Sequence, residues 1–115
     1  MSEYLVLLCE DESGYAAMDE AAAAEVMKAH DAFSAKHGDK VLGGKALQPQ
    51  ATATTVRPDG AGGITVTDGP FVETKEALGG YYLIEAADLD EAIAIARDVP
   101  VYFGGVEIRP IMTFD

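Results

Sequence analysis

The sequence predicts an α+β domain on the ferredoxin-like, split βαβ plan, and three observations predict it. Residues 3–9 are an almost unbroken apolar run, too short for a helix, and 78–85 and 106–112 are further strand-like stretches. Alanine-rich segments beginning at Asp19 and Asp88 carry helix start signals. A β-branched segment before residue 58 and another after residue 63 flank a Pro-Asp-Gly loop, which signals a hairpin. The resulting order, β-α-β-β(hairpin)-β-α-β, is a split βαβ with both helices on one face of an antiparallel sheet. A chain of 115 residues, 49% of them hydrophobic, is one domain, residues 1–115.

The first strand, Tyr4 to Cys9, ends at the acidic cluster Glu10-Asp11-Glu12 and shows no polar alternation, so both of its faces should be covered. The first helix is expected over Asp19 to Lys36, with Asp19 as N-cap, Glu20 in the first turn and Gly38 as the stop. Val26, His30, Phe33 and His37 share one helical face, so His30 should point into the structure. An extended piece from Val41 to Leu47 contains Gly43-Gly44 and is broken by Pro49. The hairpin pairs Ala51–Arg57 with Ile64–Thr67.

Thr67 to Tyr82 follows, a stretch dense in charged and backbone-special residues that is expected to lie over a pocket. Gly69-Pro70 reads as a turn and Phe71 as an anchor packing the segment down. Gly79-Gly80 reads as a close approach or a bulge at the start of the strand Leu78–Glu85. The second helix opens on a capping box, Asp88 with Glu91, and buries Leu89, Ala92, Ile93 and Ala96 before Pro100 ends it. The last strand runs from Val106 to Met112, with Pro110 pointing to an edge or a strand end.

Twenty acidic against 8 basic residues give a formal net charge of −12, which argues against nucleic acid and anionic membrane surfaces as partners. A single cysteine, Cys9, excludes an internal disulfide and a Cys-based zinc site and reads as a buried, inert thiol. With no basic leader and no apolar run of spanning length, a reduced, cytoplasmic setting is expected. Two helices cannot cover both sheet faces, yet the strands at 4–9 and 81–84 are apolar on both sides. A homodimer stacking sheet on sheet is therefore expected.

The chemistry centres on His30, a histidine held inside the fold and able to take and return a proton near neutrality. Asp68, between a strand and a Gly-Pro turn, is the candidate carboxylate to orient it. The alternative makes His30 a satisfied core histidine and Asp68 the former of an Asx-turn. Lys75 is a candidate to close over an anionic substrate, and Tyr4, Tyr81, Tyr82 and Arg109 are candidates to line the cleft. Core packing is the competing role for the tyrosines and a solvent or dimer-interface position for Arg109. No phosphate-binding loop, dinucleotide fingerprint, HExxH or nucleophile elbow occurs, and neither metal nor organic cofactor is expected.

Asp68-Gly69-Pro70-Phe71, followed by Glu73-Thr74-Lys75-Glu76 and Gly79-Gly80-Tyr81, resembles the DGPF branch of the YCII-related family. Gly44–Leu47, Pro49, the strand Ala51–Val56, Asp90-Glu91-Ala92, Glu107–Pro110, His30 and Phe33 extend the resemblance over the whole chain. It implies a dimeric α+β barrel with a His–Asp pair, here His30 and Asp68, in a cleft. A relative in the wider family is a dehydrochlorinase acting on a chlorinated hydroxyquinol-type ring. The expectation is therefore a small cofactor-independent enzyme performing elimination or isomerisation on a small organic molecule. Many members of the branch are encoded beside or fused to sigma factors, so the resemblance also implies an alternative, a ligand-binding or regulatory module associated with a sigma factor.

Overall fold

The first strand's apolar run sorts into two faces once its neighbours are in register. In the computed structural model, which describes residues 1–114, β1 (Ser2–Asp11) lies between β5 (Glu76–Ala86) and β6 (Gly104–Pro110), antiparallel to both. With β2 (Val41–Ala46) on the outer side of β5, the sheet order is β2-β5-β1-β6. Helix α2 (Glu20–Lys36) links β1 to β2, and α3 (Leu89–Ala96) links β5 to β6. Because β2 and β1 both run antiparallel to β5, each helical crossover joins strands of the same direction, which is the split βαβ. The α+β, ferredoxin-like plan read from the sequence is the plan of the structure.

On β1, Tyr4, Val6, Leu8 and Glu10 are buried, and Leu5, Leu7 and Cys9 are half-buried. Cross-strand partners share a face, so Tyr4 and Val6 stand beside Ile84 and Tyr82 on the helix-covered side. That side forms the core, with Val6 and Ile84 fully buried and Phe33, Ala92, Ile95, Ala96 and Val99 packed over them. Leu5 faces Leu83, and Leu7 faces Tyr81, on the other side of the sheet.

Helix starts follow the sequence closely. The Asp19 carboxylate accepts from the Ala22 amide at 2.8 Å, and Asp88 accepts from the Glu91 amide at 2.9 Å. Glu91 reaches back to the Ala87 amide at 3.0 Å, one residue before the capping aspartate. On α3 the buried residues are Ala92, Ile95 and Ala96, whereas Leu89 and Ile93 are 51% and 44% exposed. This corrects the buried face expected for that helix. Eight residues, just over two turns, do not fix the phase of an apolar stripe.

Three local features depart from the expected outline. A five-residue helix, α1 (Glu12–Ala16), follows β1 directly, capped by Asp11, whose side chain accepts from the Ser13 amide. Gln50–Thr52 forms a 3₁₀ turn that takes in Ala51 and Thr52, expected to begin the hairpin's first strand, and β3 starts at Thr54 (Thr54–Pro58). Together with β4 (Ile64–Asp68), β3 forms its own two-stranded sheet instead of joining the main one. Gly79 is an unpaired extra residue on β5, where the register shifts between Leu8–Gly80 and Cys9–Leu78. That is the bulge anticipated at the Gly pair. At Gly80 a Cβ would sit 2.8 Å from the Lys45 carbonyl oxygen, so β2 approaches β5 there more closely than a side chain permits.

Candidate functional site

Helix α2 presents Val26, His30 and Phe33 on its inner face, and β5 presents Tyr82 opposite them. The His30 Nδ1 and the Tyr82 phenol oxygen are 2.7 Å apart, with the rings stacked at 29° and 5.9 Å between centroids. Phe33 packs on the same phenol at 4.8 Å and holds it from the core side. Burial pushes the His30 imidazole below its ordinary 6.5, against an upward pull from the Glu10 and Asp31 carboxylates. Burial raises the Tyr82 phenol above its usual value, with the Ser34 hydroxyl acting the other way. At neutral pH the pair is thus a neutral imidazole beside a protonated phenol.

His30 and Tyr82 open onto a cavity of about 750 Å³ between α1, α2 and the β2–β5 end of the sheet. Its wall is mostly apolar or backbone, from Leu8, Val26, Met27, Leu47, Pro49 and the strand glycines, and its polar groups include Glu10, Glu12, Tyr15 and Lys45. Tyr81 also borders the cavity, although its register opposite Leu7 turns its side chain to the other face of the sheet. A cavity of this size, apolar with a few convergent polar groups, is what a small organic ligand requires.

Glu10 is the carboxylate of this wall that sequence reasoning missed. It is 6% exposed, and its Oε2 accepts from the Tyr15 hydroxyl, the Tyr102 amide at 3.0 Å and the Phe103 amide at 3.2 Å. Tyr15 in turn stands edge-on to Phe103 at 4.9 Å, and its phenol is pushed far upward by burial and by the bonded carboxylate. Period two along β1, buried at residues 4, 6, 8 and 10, was the available signal for Glu10. Glu12 on the wall accepts from the Gln50 amide at 2.9 Å, tying α1 to the 3₁₀ turn.

The structure distributes the residues singled out in the sequence as follows. His30 and Tyr81 line the cavity; Asp68, Lys75, Tyr4 and Arg109 do not. Asp68 ends β4 in the separate two-stranded sheet, paired with Thr54 and exposed, and its side chain makes no hydrogen bond among the described residues. Within one chain, therefore, His30 is partnered by Tyr82 and not by Asp68. Tyr4 is 7% exposed in the core, Lys75 stands in an exposed loop, and Arg109 on the edge strand β6 bonds Glu107 at 3.1 Å. Gly69 has φ +105, as the Gly-Pro turn requires. Phe71, expected to be an anchor, is 68% exposed, with the Arg57 guanidinium 4.2 Å above its ring and bonded to its carbonyl.

The Asp68–Leu78 stretch does border a concavity, but a second one, of about 710 Å³, walled by residues such as Leu47, Thr55, Pro70, Phe71 and Leu78. It carries no titratable side chain, whereas the His30 cavity carries several. Cys9 lies on the half-buried sheet face; burial first, then Glu107, Glu76 and Glu10, raise its thiol and keep it a poor nucleophile. Among the described residues no cluster of three His, Cys, Asp or Glu side chains is placed to hold a metal ion, and no helix is long and apolar enough to cross a membrane.

The chain is similar to known proteins along nearly its whole length. An uncharacterised protein of Rhizobium meliloti (strain 1021) is 40% identical over 116 residues, covering 96% of this chain and 93% of that protein. The YCII-related domain matches residues 3–115, nearly the whole length that builds the sheet, helices and cavity. The chain belongs to the YCII-related family.

Proposed function

We propose that this protein is a small acid–base enzyme that acts, without a cofactor, on an organic substrate held in the His30 cavity, by elimination or isomerisation. The observation that carries the proposal is the His30–Tyr82 pair. Its Nδ1 is engaged by the phenol, while Nε2 has no partner among the described residues. No sealed side-chain nitrogen or oxygen lacks a partner among those residues, so Nε2 is open to the cavity that His30 lines. With Nδ1–H donating to the Tyr82 oxygen, Nε2 holds the lone pair that abstracts a substrate proton. The imidazolium so formed keeps its Nδ1–H bond and returns the proton from Nε2 to the leaving group or to a second carbon. Tyr82 takes the orienting role that the sequence assigned to Asp68.

Proton abstraction has a direct readout. Lactones, enones and β-substituted carbonyl compounds are incubated with the protein in D2O, and loss of C–H signal is followed by proton NMR. The expected result is exchange of at least one compound by the wild type, slowed about 10²- to 10⁴-fold in His30→Gln. Equal rates in the two proteins would overturn the role of His30. A wild type that binds these compounds without exchanging any would be a binding module instead.

We also propose that the protein is a homodimer through the sheet face opposite the helices. Leu5, Leu7, Leu83 and Tyr81 form a contiguous half-buried apolar patch there, flanked on β6 by Glu107 and Arg109 through their register with Leu7 and Leu5. A patch of this kind is covered in most soluble proteins. Light scattering at micromolar concentration should give twice the 12.1 kDa chain mass, and Leu5→Lys should halve it. A wild-type monomer mass sinks the dimer.

A further inference from the structure

Glu10 places a carboxylate in the cavity wall with one oxygen saturated and the other unused. Oε2 takes all three donors named above, and Oε1 has no hydrogen-bond partner among the described residues. A buried acceptor left unpaired is costly, and native structures rarely leave one. No sealed side-chain oxygen lacks a partner among the described residues, although Glu10 as a whole is only 6% exposed. Oε1 must therefore meet solvent through a narrow opening, and the space that Glu10 borders is the His30 cavity. The Oε2 donors come from α1 and from the segment before β6, so the carboxylate is held in place before any ligand arrives.

The charges on the wall then select the ligand. Glu10 and Glu12 are acidic, Lys45 is basic but exposed on the edge strand β2, and His30 is neutral. Glu12 spends Oε2 on the Gln50 amide. The balance is negative, and the single buried charged group is an acceptor. We propose that Glu10 Oε1 anchors the ammonium group of a small amine whose apolar body lies against Leu8, Met27 and Tyr82. A charge-assisted bond from an ammonium to a preorganised carboxylate is among the stronger single contacts a site can make. An anionic ligand would meet the same carboxylate as repulsion, and Lys75, in its exposed loop, does not reach this cavity to offset it. The inference takes the His30 cavity as the ligand site, in common with the function proposed above, but not that function's chemistry.

The test is binding and does not depend on turnover. Benzylamine, benzyl alcohol and benzoate are titrated separately into the folded protein, and the His30 and Tyr82 ring signals are followed by NMR. The expected order of affinity is benzylamine first, benzyl alcohol second and benzoate last. Glu10→Gln keeps the size and an acceptor for the amides but removes the charge. It should weaken benzylamine on the order of tenfold or more while leaving benzyl alcohol within about twofold. Ile93→Ala, exposed on α3 and outside the cavity wall, should bind benzylamine like the wild type, and because the readout is binding and not exchange, its failure stays separate from a failure of the proton-transfer reading. Benzoate binding as tightly as benzylamine, or a Glu10→Gln variant with unchanged benzylamine affinity, overturns the proposal. If Glu10→Gln does not fold, the ranking on the wild type decides alone.

Discussion

Ile84→Ala is expected to remove about 2–5 kcal/mol of folding stability, the range for truncating a large aliphatic side chain in a sealed core. Ile84 has no exposed surface, stands opposite Tyr4 on β1 and Val41 on β2, and lies beneath the helix-covered face. Its neighbours belong to three strands hydrogen-bonded into one sheet, so they cannot collapse inward to fill the void. The matched control is Ile93→Ala. Ile93 is the same residue type on α3 but 44% exposed, and its truncation should stay within about 0.5–1 kcal/mol. Urea denaturation at one protein concentration checks both, because a dimer couples stability to concentration. In thermal melts the Ile84 variant should fall by roughly 10 °C or more. Equal losses would mean that α3 is rotated to bury Leu89 and Ile93, the face its sequence first indicates.

The contrast between Ile84 and Ile93 shows which information the sequence holds locally. Long elements with strong signals are legible: Asp19 caps α2, Val26-His30-Phe33 faces inward, and β1 runs from the N-terminus into the acidic cluster. A helix of eight residues leaves its rotation to tertiary packing, and Ile95 displaces Ile93 from the core. The inward direction of His30 was legible from helical spacing, but its partner was not. Which aromatic of Tyr81-Tyr82 meets it depends on the β1–β5 register, shifted by one residue at Gly79. Asp68 was legible as a turn residue, yet its surroundings follow from a pairing choice. The hairpin forms its own sheet, and nothing in its alternation distinguishes that from an edge added to the main one.

Glu10 was hidden for a different reason. Three consecutive acids read as the solvated end of a strand, and only the period-two set Tyr4, Val6, Leu8 marks the first of them as inward. Its donors lie five, 92 and 93 positions along the chain, so no local pattern announces them. Tyr15 sits in a helix too short to show a periodic stripe. Residues whose chemistry is built from distant backbone amides become visible only after the fold closes.

Lowering the pH through the histidine range is expected to destabilise the wild type, and His30→Gln is expected to lose part of that dependence. Burial holds His30 below 6.5 in the folded chain, while in the unfolded chain it titrates near that value. Between the two values the unfolded chain binds a proton that the native chain does not, so stability rises with pH across that interval. The contribution of His30 is fully present above 6.5, declines as pH falls below it, and stops changing under the folded value. Asp98 acts in a separate window. Hydrogen bonds from His37 and Lys36 lower its carboxyl beneath 3.8, and the stability it supplies disappears only in stronger acid. Stability measured by urea at steps from about pH 7.5 down to about pH 5 should therefore fall more steeply in the wild type than in the variant. Identical slopes would mean that His30 is solvated and carries no burial penalty. The same depressed value bears on chemistry. Tyr82 stays protonated throughout because its phenol is raised, so with His30 as the proposed base the acid limb in the rate of proton exchange should fall below pH 6.5. An acid limb centred above 6.5 would require a carboxylate bonded to the imidazole, the pairing with Asp68 that the single chain does not make.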